Sequence, residues 1–235
     1  HNVAVGYESL KYLGSSNSYN TAVGDYSQYN TTWGQYNTSI GYDSLRDNDG
    51  GSYNVAVGYR SNYDETSRHS SSGSVSIGGE ALAFANNAIS IGRYAKASGE
   101  QSVSLGSSAD ASGHDSISIG GSSVSSNEAS IALGSSSNAS GTSSVAIGNG
   151  AIVDNAGNVS LGGASKASGN SLATALGYNA YAEGFSSSAL GAGSRANDSN
   201  STALGAYSTA TGNGSIAIGY DAKAQGKNNI AIGVN

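Results

Sequence analysis

Residues 91–106 read I-G-R-Y-A-K-A-S-G-E-Q-S-V-S-L-G, and the fold follows from the way this stretch recurs. Within it, A-K-A and V-S-L alternate with the period of a half-buried β-strand, and polar, glycine-bearing turns separate them. The closing glycine, always preceded by Ile or Leu, returns at residues 78, 92, 106, 120, 134, 148, 162, 177, 191, 205, 219 and 233, a spacing of 14 broken once by a 15. Fourteen residues hold two short strands and two turns and leave no room for a helix. The unit is therefore predicted to be one turn of a narrow, two-sided, all-β solenoid. At about 4.8 Å per coil, the intervals from Gly78 to Gly233 would span about 53 Å.

The columns of this repeat carry specific expectations. Each coil is expected to bury two aliphatic side chains and two alanines, a thin core that favours parallel association of identical chains with like columns facing a common axis. Ile91, Leu105, Ile119, Leu133, Ile147 and Leu161 are the expected core of such an assembly. Three positions before the glycine, Val or Ile holds except at Thr174, Ser188 and Thr202. Those hydroxyls would form an interior zone that holds ordered water or an anion, or else bonds neighbouring backbone. Seven positions after the glycine, only Gly, Asn and Asp occur from Gly99 onward, which predicts a left-handed backbone residue there. The extra residue between Gly169 and Thr174 predicts a bulge or an enlarged turn. A varied column four positions after the glycine (Lys96, Asp110, Val124 and so on to Tyr181, Arg195, Thr209 and Lys223) is expected to face solvent.

Composition limits the functional classes. The chain has 35 Gly, no Pro, Cys or Met and 11% charged residues, but a strict aliphatic column through a dozen units is not the pattern of a disordered chain. Its net charge of -6 is spread evenly, with no basic patch, which argues against nucleic acid as a partner, and no apolar run is long enough to insert in a membrane. The start at His1, inside a repeat, reads as that of a fragment. No grouped nucleophile, base and acid can be identified, so no enzyme activity, catalytic residue or cofactor is expected. No metal site is expected either: His1, His69 and His114 lie far apart in the repeat order, and Asp43, Asp47, Asn48 and Asp49 read as an acidic surface turn rather than a calcium loop.

Residues 1–72 form a variant of the regular coils in 73–235. N-x-[AS]-[VI]-G units begin at Asn2, Asn20, Asn37 and Asn54, so these coils are 17 to 18 residues long, and G-Y-x-S-L occurs at 6–10 and 41–45. Ten of the fifteen tyrosines and the single Trp lie between Tyr7 and Tyr63. Tyr7, Tyr42 and Tyr59 suit a buried or inter-chain ladder. Aromatic rings among Asn, Gln and Asp also suit stacking on sugars, so Tyr19, Tyr26, Tyr29, Trp33, Gln35 and Tyr36 are the candidate glycan contacts.

The S-[VI]-A-I-G pattern at 144–148 and at 215–219, extended as Y-D-A-K-A-Q-G to Gly226, resembles the head repeats of the trimeric autotransporter adhesins, the YadA-like family, over about 74–235. The resemblance implies a left-handed parallel β-roll and a parallel homotrimer. It also implies an extracellular fibre on the outer cell surface that attaches to host glycans, matrix proteins or environmental ligands. The amino-terminal units resemble phage tail-fibre repeats, which leaves a virion tail-fibre shaft or receptor-binding segment open, as well as a passive spacer filament.

Overall fold

A computed structural model describes residues 1–15, 17–63 and 70–234; His69 lies outside the described residues. The chain is all-β and forms two compact units, His1–Ser122 and Ser123–Asn235, each a parallel β-solenoid. In the first unit, three-residue strands from Val3–Val5 to Ile117–Ile119 build a first sheet, each hydrogen-bonded in parallel to its equivalent one coil on. Val103 pairs with Ile117 and Leu105 with Ile119. Two-residue strands, among them Lys96–Ala97 and Asp110–Ala111, build the second sheet. The second unit repeats the arrangement, with first-sheet strands from Ile131–Leu133 to Ile230–Ile232 and second-sheet strands from Val124–Ser125 to Lys223–Ala224.

The expected burial of the aliphatic columns within the chain is not what the structure shows. The interior is filled by small side chains: Ser102, Ser104, Ala109 and Ala111 of one coil are all fully buried. The flanking Val103 and Leu105 are only half-buried, on the outer face of the first sheet. Alternation along V-S-L puts Ser104 on the opposite side from both aliphatics, and two sheets joined by such short turns leave an interior one small side chain deep. The signal was present in the sequence as an unbroken run of Ser or Ala between the two aliphatics. The longer amino-terminal coils are roomier and bury Leu10, Gln28 and Leu45; Gln28 donates through Nε2 to Thr21 O at 3.0 Å and Ser39 Oγ at 2.9 Å.

The repeat glycine is required twice over. Gly106 has a φ of +136°, and a Cβ on it would lie 2.6 Å from the carbonyl oxygen of Gly120 in the next coil. The left-handed residue expected at the Gly99 column is found two positions later, at Gln101 (φ 59°), Asp115 (55°) and Ala129 (53°). Gly99 opens a turn whose Ser102 N–H donates back to the Gly99 carbonyl at 3.2 Å, and such a turn takes its positive φ at the third residue. Gly99 is small for clearance instead: a Cβ there would lie 1.9 Å from Gly113 O. The extra residue before Thr174 enlarges a turn without changing register, since Val159 still pairs with Thr174 and Leu161 with Leu176. Asn158 spans that turn, accepting from Ala173 N–H at 2.8 Å and donating to Gly169 O at 2.7 Å.

A buried asparagine ladder runs through the amino-terminal coils. Asn20 Oδ1 accepts from Asn37 N–H and Asn37 Oδ1 from Asn54 N–H, each at 2.9 Å. The amide nitrogens donate across the coil, Asn20 to Gly34 O and Asn37 to Gly51 O, both at 2.9 Å. Replacing Asn37 with Ala leaves the buried Asn54 N–H without its acceptor, at about 1–3 kcal/mol, and removes one of the two side-chain amides that donate to Gly51 O. The expected result is a clear fall in the urea midpoint of Asn37→Ala, followed by circular dichroism, against little change for the exposed Asn213→Ala.

Candidate functional site

The six candidate contact residues of the first unit fall into three places. Tyr19 and Tyr36 precede Asn20 and Asn37, and Tyr53 precedes Asn54 in the same column. In-register coils set these rings at the coil spacing. Tyr19 and Tyr36 stack with centroids 5.0 Å apart and planes 4° apart; Tyr36 and Tyr53 stack at 5.0 Å and 7°. His1 tilts against the Tyr19 end at 5.6 Å. Sequence reading missed Tyr53, although Y-N recurs at 19–20, 36–37 and 53–54. Because the ring faces stack on each other, the ladder offers a ligand its edges and a row of phenol hydroxyls.

Tyr26 and Tyr29 lie on the other turn of the coil, past the repeat glycine, and are half-buried. Tyr26 meets Tyr7 edge-on at 5.5 Å and Tyr42 at 5.9 Å, while Tyr29 meets Tyr12 at 5.1 Å. The Arg46 guanidinium lies 5.1 Å from both the Tyr26 and Tyr29 centroids. A side-chain hydrogen bond with Tyr12 raises the pKa of Tyr29. Burial is the largest single influence on Arg46 and works against its charge, but Asp43, Tyr63 and Asp47 together outweigh it and the guanidinium pKa is raised. Tyr7, Tyr42 and Tyr59 are not buried within the chain: all three are exposed, and Tyr42 stacks on Tyr59 at 5.7 Å.

Trp33 and Gln35 occupy the turn that leads to Tyr36. Trp33 is 60% exposed and stacks on no other ring among the described residues, and the half-buried Gln35 donates its N–H to Ser52 Oγ at 3.0 Å. Trp33 is thus the one candidate whose ring face is open to a ligand.

Of the supposed acidic surface turn, Asp43 and Asn48 are internal packing, and Asp47 and Asp49 are half-buried. Asp43 is 1% exposed, accepts from Arg46 at 2.8 Å and lies 3.8 Å from Arg60 Nε. Asn48 is buried on Gly51, and Asp49 accepts from Thr32 Oγ1 at 2.8 Å. Among the described residues, no group of three or more His, Cys, Asp or Glu could hold a metal ion. No helix among them is long and apolar enough to cross a membrane.

The aliphatic columns occupy the outer face of the first sheet. Ile91, Ile119 and Ile147 are 37–38% exposed, with Leu105, Leu133 and Leu161 half-buried. Thr174, Ser188 and Thr202 stand in register on that face and are half-buried.

Removing the central ring of the tyrosine ladder breaks two stacked pairs, worth about 0.5–1.5 kcal/mol each. Tyr36→Ala is expected to reduce the near-ultraviolet dichroism and lower the urea midpoint, whereas Trp33→Ala, which breaks no ring contact, leaves the midpoint unchanged.

The family model of the YadA head domain repeat matches residues 70–95, 97–123, 125–151, 171–184, 182–208 and 210–235, well over half of the chain. Among solved structures, the collagen-binding domain of the Yersinia adhesin YadA is similar at 23% identity, with 70% of this chain and 68% of that chain covered and a TM-score of 0.35. No curated protein matches the chain.

Proposed function

The chain belongs to the YadA head-domain repeat family of non-enzymatic extracellular adhesins, and on that premise we propose that it works as a parallel homotrimer on the outer cell surface. The observation that carries the proposal is the unpartnered outer face of the first sheet. Two columns, one of Val or Ile and one of Ile or Leu, are left half-buried or exposed on it. A partner that covers such a face must present apolar groups at the same repeat, and a second and third copy in register do so. The coils are then those of a left-handed β-roll, with Ile91, Leu105, Ile119, Leu133, Ile147 and Leu161 facing the axis. Thr174, Ser188 and Thr202 form a hydroxyl zone within that interface.

In this reading residues 73–235 are the regular head coils and residues 1–72 a ligand-presenting variant of them. The ligand is a host glycan or an extracellular-matrix protein. Trp33 supplies an open ring face, Gln35 and Tyr36 lie beside it in the chain, and the stacked tyrosines contribute edges and hydroxyls.

Ile119→Asp and Ile147→Asp test the interface. Each changes a side chain already 37% exposed in the single chain, so the coil tolerates it, while three carboxylates around one axis do not. Light scattering is expected to fall from three chain masses to one, with the β dichroism retained; a variant that stays trimeric would place the axis elsewhere. On an array of neutral glycans and matrix proteins, the wild-type signal is expected to disappear in Trp33→Ala/Tyr36→Ala. Wild-type protein that binds nothing would leave the chain a spacer.

A further inference from the structure

The second sheet of Ser123–Asn235 carries an open groove of about 500 Å³, lined by Asn179, Gly193, Arg195, Tyr207, Thr209 and Asp221 among others. A break in one turn column creates it. The residue two positions after the repeat glycine has positive φ in each of these coils and is Ala164, Asn179, Gly193, Tyr207 and Asp221 in turn. Gly193 has no side chain, and the ring of Tyr207 lies against it: a Cβ at Gly193 would be 2.8 Å from Tyr207 Cδ1 and 2.9 Å from Cε1. The ring is 57% exposed and forms one wall of the groove.

Polar groups stand around this ring. The Arg195 guanidinium lies 5.3 Å from the Tyr181 centroid, a contact that holds it in place, and it forms no ion pair among the described residues. Tyr181 is itself fixed by its hydroxyl bond to Asn179 Oδ1 at 2.9 Å. Asp221 is neutralised by Lys223 Nζ at 3.2 Å, which leaves its second oxygen to accept from hydroxyls without opposing an incoming anion. Asn197 and Thr211 line the same groove, and their side chains form no hydrogen bond among the described residues.

We propose that this groove is a saccharide subsite for an acidic sugar. The sugar's carboxylate pairs with Arg195, its ring packs against Tyr207, and its hydroxyls bond Asp221, Asn197 and Thr211. An unpaired, pre-oriented guanidinium beside an aromatic wall and neutral donors selects a carboxylate-bearing ring over a neutral one. The inference rests on the adhesive reading only for the source of the sugar, and it uses none of the amino-terminal contact residues.

Column precedents supply variants that keep the fold. Arg195→Thr copies Thr209, Tyr207→Ala copies Ala164, and Gly193→Asn copies Asn179, whose φ is +54°. Free glucuronate and glucose are titrated against the purified full chain by saturation-transfer NMR. Glucuronate is expected to bind saturably and glucose several-fold more weakly. Arg195→Thr is expected to cost about tenfold in glucuronate affinity and to erase the preference. Gly193→Asn, which displaces the Tyr207 ring, and Tyr207→Ala are expected to abolish binding of both. No saturable glucuronate signal, equal binding of the two sugars, or an unchanged affinity in Arg195→Thr would each overturn the proposal. Trp33→Ala/Tyr36→Ala is expected to keep glucuronate binding while it loses the array signal, so the two readings fail separately.

Discussion

Parallel coils stacked in register about 4.8 Å apart bring every residue into contact with the residue at the same position of the next coil. A side chain is admitted to a column only if it tolerates its own kind as a neighbour. Glycine meets glycine where the backbones close to within a Cβ of each other, as Gly106 does over Gly120. Asparagine is self-complementary in this geometry, because the side-chain oxygen of Asn37 accepts from the main-chain N–H of Asn54 while the Asn37 main-chain N–H donates to the side-chain oxygen of Asn20. Tyrosine stacks, and the 5.0 Å between Tyr19, Tyr36 and Tyr53 is set by the coils as much as by the rings.

The same rule accounts for the low charge of the chain. A charged column would set like charges about 5 Å apart for its whole length, an arrangement that opposes stacking. Where charge does enter the second-sheet column it is broken at once: Lys96 stands between Leu82 and Asp110, and Arg195 between Tyr181 and Thr209. Aliphatic side chains meet no such penalty, so they can form uninterrupted columns. They do so on the outside, because the interior between two sheets of 14-residue coils admits only Ser and Ala at most positions.

Period, strand placement and register were legible in the sequence because each is repeated a dozen times, and the Gly and Ile/Leu columns mark them without ambiguity. The direction of the side chains was not, because I-S-I and V-A-I read equally well with the aliphatics in or out; coil width decides, and width is a tertiary property. The left-handed residues were misplaced for a related reason. Gln101, Ala129 and Leu172 take positive φ because the turn hydrogen bond imposes it, and none of these residue types advertises that conformation. The candidate ring contacts were found as a composition cluster, but their separation into a stacked ladder, an Arg46-centred group and an isolated Trp33 depends on which turn each occupies. The Tyr207 groove was missed because its origin is a missing side chain, Gly193, in a column already rich in small residues.

The two outer faces differ in a way that bears on what each contacts. The first-sheet face repeats almost without change, Val or Ile and then Ile or Leu in coil after coil, with only Thr174, Ser188 and Thr202 departing in the regular coils. A surface of constant period is matched over its whole length only by a surface of the same period, and another copy of this chain has one. The second-sheet face changes at nearly every coil, from Lys166 through Tyr181 and Arg195 to Thr209. No periodic partner can match that sequence of groups. A ligand with a few unlike groups of its own can match one short part of it, and the part where an aromatic wall, the Arg195 guanidinium and the polar side chains of Asn197 and Thr211 coincide is the one opened by Gly193.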